Sequence, residues 1–380
     1  MFTVIIFIIV LGILVLVHEL GHFVMAKRAG MKVEEFGFGF PPRLLAWRRR
    51  PGADIEIAFG TKSLKTDNSN NTIFSINLMP FGGFVKIFGE DSGEEAMKSS
   101  RSFSSKKAGV KAGVIVAGVA MNLILAFVLL SFGNILGLRV GLEDGSQNAK
   151  DLKVQIIQIV PNSPAALAKI EVLDEIIGFN LGGQNFETKT IEKIQNFINL
   201  HKGQQLTVLV RRGKELVEKE VVPRVNPPEN EGALGISMAL TGVIKYPWHE
   251  AVYRGGQQTG ILLINTVYGY GNIIKKVFMT GSPGTELSGP IGIAKFTGQA
   301  ARIGFAYLIQ LTAILSINLA ILNIIPFPAL DGGRLLFIII EKFKGSPIPR
   351  KVENLANSLG FALLILLMVY VTTKDVIRFF

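Results

Sequence analysis

Four stretches of the sequence run almost without charged side chains, at residues 2–25, 108–130, 305–326 and 355–372. Each is close to the roughly 20 residues that a helix needs to cross a bilayer, so four transmembrane helices are expected. The first has no cationic residues ahead of it and no small-residue cleavage site, so it reads as a span and not as a secretory signal. Between the second and third spans the apolar period shortens. Residues 153–160 and 175–179 read as strands, 164–169 as a short helix and 190–200 as a longer one. Residues 205–211 and 215–222 form a hairpin around Arg212-Gly213. This predicts an αβ domain at residues 139–240.

Two further segments have weaker patterns. Residues 54–90 alternate in strand fashion (Ile55, Ile57, Phe59, then Ile73, Ser75, Ile76, Asn77, Leu78) and are punctuated by Pro80 and Gly82-Gly83. They predict a membrane-associated β-hairpin sheet that re-enters the bilayer from the cytoplasmic side. Residues 246–280 are semi-apolar and interrupted by Gly269, Gly271 and Gly281, which suggests an amphipathic helix at the outer surface within an external segment, 241–304. The expected fold is therefore a polytopic α-helical membrane protein with four spans, one β-hairpin sheet and one external αβ domain.

Charge orients the spans. Hydrophobic residues make up 49% of the 380 and charged residues only 18%, against about 25% in soluble domains. The net charge of +11 does not indicate nucleic acid, because the cations sit beside apolar runs: Lys27, Arg28, Lys32, Arg43, Arg48, Arg49 and Arg50 follow the first span. The positive-inside rule then places the N-terminus outside, residues 27–107 in the cytoplasm and 139–304 outside. Residues 334–354, with Lys342, Lys344, Arg350 and Lys351, return to the cytoplasm, although Lys374 and Arg378 after the last span run against the rule. The division is span one at 1–26, span two at 108–138, span three with its broken end at 305–333, and span four with the C-terminus at 355–380.

The candidate chemistry lies inside the first span. There are no cysteines, so any metal must be held by His, Asp or Glu, and two of the four histidines (His18, His22, His201, His249) fall within five residues. His18-Glu19-Leu20-Gly21-His22 is an H-E-x-x-H pattern, which on a helix puts both imidazoles on one face with a glutamate beside them. Ionisable groups within a span are costly and mark function. Catalytic zinc takes three protein ligands, so one more is required. Asn323-Ile-Ile-Pro-Phe-Pro-Ala-Leu-Asp331-Gly-Gly offers Asp331, freed by prolines that break the third span. A helix-capping role for Asp331 is the competing reading. Two crossings separate the sites, which brings both to the cytoplasmic ends of their spans.

With these motifs the chain resembles the site-2 protease family of intramembrane zinc metalloproteases, in the bacterial form with a single PDZ domain. The resemblance extends over almost the whole length, through HELGH, "FGFGFPPRL", "SINLMPFGGFVKIFGED", "AGVAMNLILA", "VPNSPAALA", "LSGPIGIAKFTGQAAR" and "NIIPFPALDGGRLLF". It implies that His18, His22 and Asp331 bind Zn2+, that Glu19 is the general base, and that Asn318 and Asn323 hold substrate near the metal. Asn122 on the second span is a polar group of open role, interhelical hydrogen bonding being the alternative.

The resemblance further implies a multi-pass bacterial inner-membrane enzyme whose partners are lipid and single-span membrane substrates such as anti-sigma factors, remnant signal peptides or pheromone precursors. The active site would face the cytoplasm and the PDZ-like domain the outside, where it would bind peptide termini or exclude bulky substrates. That domain departs from the family: A-G-L-x-x-G-D is replaced by Ala168-Lys169-Ile170-Glu171-Val172-Leu173-Asp174, without either glycine. Two other readings remain open at this point. One is a membrane-anchored zincin with a downstream Glu ligand, acting on soluble or misfolded proteins; the other is a non-catalytic PDZ scaffold.

Overall fold

The computed structural model describes residues 2–49, 55–60, 64, 71–90, 99–142, 149–188, 190–229, 231–281, 288–346 and 348–379. Arg50, Asp54, residues 61–63 and 65–70 of the expected hairpin, and residues 143–148 of the αβ domain lie outside the described residues. In chain order, helix α1 (Phe2–Arg28) leads into strands β1 (Val33–Arg49), β2 (Ile55–Phe59) and β3 (Ile73–Ile87), then helix α2 (Ala108–Leu136). There follow β4 (Leu138–Gly141), β5 (Lys150–Ile159), the single turn α3 (Pro164–Leu167), β6 (Glu175–Leu181), β7 (Gln184–Glu187), α4 (Ile191–Leu200), β8 (Leu206–Arg212), β9 (Glu215–Val221) and β10 (Ile236–Ile244). The chain ends with α5 (Trp248–Thr280), α6 (Pro290–Ile303), α7 (Phe305–Ile324), α8 (Asp331–Lys344) and α9 (Arg350–Phe379). Four of these helices, α1, α2, α7 and α9, are long and apolar enough to cross a membrane, the same four that the hydropathy pattern marks.

The residues divide into two compact units, Met1–Leu130 with Tyr253–Gly298 and Leu311–Phe380, and Ser131–Val252 with Gln299–Gln310. In the first, the sheet differs from the expected hairpin. β2 and β3 do not pair with each other; both pair with β1, in the order β2-β1-β3. β1 is hidden in the sequence because charges, glycines and a Pro-Pro pair interrupt its alternation, "VEEFGFGFPPRLLAWRR". It bends so far that Phe74 of β3 pairs with both Phe36 and Trp47, and β3 in turn folds back so that Phe36 lies between Val85 and Phe74. Phe23 of α1 packs on this sheet, its ring 5.1 Å from Phe36 and 6.0 Å from Phe74. On the edge strand β2, Ile55, Ile57 and Phe59 are all largely exposed. Along α9 most apolar side chains are exposed as well, among them Leu363, Leu366 and Val369.

In the second unit the strands run β4-β10-β5-β6-β8-β9, with β7 pairing on β6. The sheet buries Val154, Ile156, Ile176, Phe179, Val208 and Val210 against Ile194 and Ile198 of α4. Thr190 caps α4 by accepting from Lys193 N–H, so that helix starts where its periodicity begins. β4, β7 and β10 were not legible in the sequence. At the turn that lacks the family's glycines, Lys169 and Leu173 adopt φ of 57° and 73°. The left-handed turn is thus kept with side chains in place of glycine. The turn is held by Asp174, whose carboxylate accepts from Glu171 N–H and from Arg212.

Candidate metal centre

The centre is built from α1, α2 and the junction between α7 and α8. His18 and His22, four residues apart on α1, are both nearly fully buried. Pro326 and Pro328 follow the end of α7 at Ile324, and a new helix begins at Asp331. The junction turns so tightly that a Cβ at Gly332 would stand 2.1 Å from the Ile325 carbonyl oxygen, which explains the glycine after Asp331. The capping reading of Asp331 is not what is observed. Leu330 occupies the cap position with no side-chain hydrogen bond, while Asp331, the first residue of α8, directs its carboxylate toward α1.

There Asp331 Oδ2 lies 2.9 Å from His18 Nε2 and 3.2 Å from His22 Nε2, and the two Nε2 atoms are 3.2 Å apart. Ligand atoms about 2.0–2.2 Å from a tetrahedral zinc stand roughly 3.3 Å from one another, so this triangle fits zinc with only a small expansion. Among the described residues no downstream glutamate joins the two histidines, and no other group of three His, Asp or Glu residues comes together in this way.

Glu19 sits beside the triangle, half-buried, and accepts a hydrogen bond from the Val85 main chain of β3. It lines two cavities. One, of about 180 Å³, is shared with His22, Phe84, Val85, Asp331 and Arg334, room for several waters. The other contains Val15, His18, Leu319, Asn323 and Asp331.

The three asparagines separate. Asn323 Nδ2 is 3.3 Å from His18 Nε2, within reach of anything bound at the centre. Asn318 is not at the centre: Tyr270 of α5 donates to its Oδ1 at 2.8 Å, and its own Nδ2 donates to Ile314 O. Asn122, left open by the sequence, lies against His18 Nδ1 at 3.2 Å. Sequence reasoning missed Val85, Tyr270, and the ion pair between Arg334 and Glu90 at the rim of the cavity that His22 lines, since each matters only through pairing across the fold. Of the other histidines, His201 donates to or accepts from no metal-site residue and instead bonds Phe197 O, and His249 stacks edge-on against Trp248.

The sequence pattern of peptidase family M50 matches residues 6–54 and 51–367. The chain belongs to peptidase family M50. A Clostridium perfringens relative is 34% identical over 366 residues, covering 96% of this chain and 95% of its own. One from Clostridium acetobutylicum is 32% identical over 377 residues, covering 99% and 98%. The zinc metalloprotease RasP of Geobacillus kaustophilus is 30% identical over 461 residues, covering all of this chain and 98% of its own. As a member of the M50, or site-2 protease, family the protein is a zinc metalloendopeptidase of the membrane, with Zn2+ as its cofactor.

Proposed function

We propose that His18, His22 and Asp331 hold the zinc and that Glu19 is the general base for hydrolysis of a peptide bond in or near the transmembrane segment of single-span membrane proteins. The observation that carries this reading is the triangle of ligand atoms, two from the single apolar helix α1 and one from the break between α7 and α8. When bound, zinc polarises the scissile carbonyl and acidifies the attacking water.

Each protein group then has a task. Glu19 accepts the water's proton on its carboxylate and returns it to the departing amide nitrogen, so one group serves as base and then as acid. The main-chain N–H of Val85 holds the Glu19 carboxylate toward the cavity. Asn323 presents its amide to the carbonyl that is being attacked. Asn318 reaches a substrate only once its bond to Tyr270 is released. The cavity that His22 lines supplies water from the side of Glu90 and Arg334, which the charge pattern assigns to the cytoplasm.

A helical substrate hides its peptide bonds within its own ladder and must be opened before attack. Phe84, Val85 and Ile87 of β3 line the cavity that contains Glu19, so a strand from the substrate added alongside β3 would be held extended at the base. The exposed apolar residues of β2 suit a sheet that dips into lipid. The β-rich second unit is read as the PDZ-like domain on the outer face of a bacterial inner membrane, acting as a filter for substrates such as anti-sigma factors or remnant signal peptides. The test is Glu19→Gln with a single-span reporter in liposomes: cleavage should fall by at least about 10²-fold, as expected when a general base is removed, while zinc stays bound. Loss of zinc together with activity would make Glu19 a ligand and refute the assignment.

A further inference from the structure

The two histidines of the triangle are held from behind by one face of α2. Val114, Gly118 and Asn122 follow each other at intervals of four on that helix. The Val114 carbonyl lies 2.9 Å from His22 Nδ1. A carbonyl can only accept, so His22 carries its proton on Nδ1 and presents the Nε2 lone pair to the centre. A Cβ at Gly118 would stand 2.4 Å from His22 Nε2 and 2.9 Å from His18 Cε1, so the absence of a side chain there leaves the space in which the two rings meet.

His18 needs the same treatment, and among the described residues one side chain is placed to supply it. Its Nε2 points into the triangle, so Nδ1 must bear the proton if Nε2 is to bind metal. The group against Nδ1 is the amide of fully buried Asn122, with Nδ2 at 3.2 Å. In that sense the amide would donate to Nδ1 and force the proton onto Nε2, directly against Asp331 and His22. Among the described residues no donor reaches Asn122 Oδ1, so none of them holds the amide in that sense. The two ends of the amide are equal in size, and a half-turn about χ2 puts Oδ1 where Nδ2 now stands.

We propose that Asn122 is a positioning residue of the metal centre, its side-chain carbonyl accepting the Nδ1–H of His18 and so fixing the tautomer whose Nε2 binds zinc. This rests on His18 being a ligand. α2 thereby sets both imidazoles, through a main-chain carbonyl for one and a side-chain carbonyl for the other.

The test is zinc affinity by chelator competition on the detergent-purified full chain, with selective ¹⁵N-histidine NMR of the zinc-free protein. Asn122→Asp keeps an acceptor at Nδ1 and should bind zinc at least as tightly as wild type. Asn122→Leu removes the acceptor and should bind about 10- to 100-fold more weakly, the usual effect of losing such a partner. In the spectra, His18 should be the Nδ1–H tautomer in wild type and Asn122→Asp, and shift toward Nε2–H in Asn122→Leu. Equal weakening in Asn122→Asp and Asn122→Leu, or no weakening in either, would overturn the proposal. His18→Ala separates the two levels. If it retains wild-type affinity, the ligand assignment fails; if it loses zinc while both Asn122 variants match wild type, only the role of Asn122 fails.

Discussion

Asp331 Oδ2 lies 2.9 Å from His18 Nε2, although 313 positions separate the two residues in the chain. The contact exists because α7 stops at Ile324 and restarts as α8 at Asp331, which turns a carboxylate toward the face of α1 that carries both imidazoles.

Gly118 should not tolerate a side chain without loss of the metal. Gly118→Ala places a methyl group 2.4 Å from His22 Nε2, and the nearby contact is a ring within a packed helix pair, with little freedom to yield. Zinc content of the purified variant should fall well below one per chain while helix content by circular dichroism is kept. A full zinc complement in Gly118→Ala would show that the rings have more room than the structure gives them.

Lys169 should be replaceable with a gain. It is exposed and holds φ of 57°, a conformation that costs a residue with a side chain about 1–2 kcal/mol. Lys169→Gly relieves that strain and loses part of the gain to the greater freedom of the unfolded chain, so a net stabilisation of about 0.5–1 kcal/mol is expected. A denaturant titration of the full chain followed by circular dichroism measures it. An unchanged or lower midpoint would mean that the turn is not strained.

The orientation argument predicts opposite sides for two loops. Asn185 and Ser346 are both exposed, and the chain has no cysteine of its own. A cysteine at Asn185 should react with an impermeant reagent added outside the cell, and one at Ser346 only after the membrane is opened. Reaction of both from the same side would mean that the number of crossings between them is wrong.

What the sequence discloses and what it withholds follow from the range of the interactions involved. The four spans and the strands β5, β6, β8 and β9 announce themselves by local period, because each buries a face or a whole surface along a continuous run. HELGH is legible for the same reason: two ligands one turn apart on one helix. Asp331 could be nominated because a carboxylate after two helix-breaking prolines at membrane depth is rare. β1 was missed because its pairing, not its alternation, makes it a strand, with Phe36 bonded between two segments of β3. Asn318 and Asn323 look alike in sequence, yet five residues on a helix turn them to different neighbours, one to Tyr270 and the other to His18. Asn122 and Gly118 gain their meaning only from α1, more than ninety residues away.

The central claim is that Asp331 completes a zinc site with His18 and His22, and zinc stoichiometry of Asp331→Asn tests it most directly. The substitution preserves size and removes the charge that binds the metal, whereas at a helix cap Asn is about as good as Asp. Elemental analysis of detergent-purified wild type, Asp331→Asn and, as the reference for loss, His22→Ala should give about one zinc per chain for the first. Asp331→Asn should fall with His22→Ala, far below one. Near-stoichiometric zinc in Asp331→Asn beside a depleted His22→Ala would contradict the account.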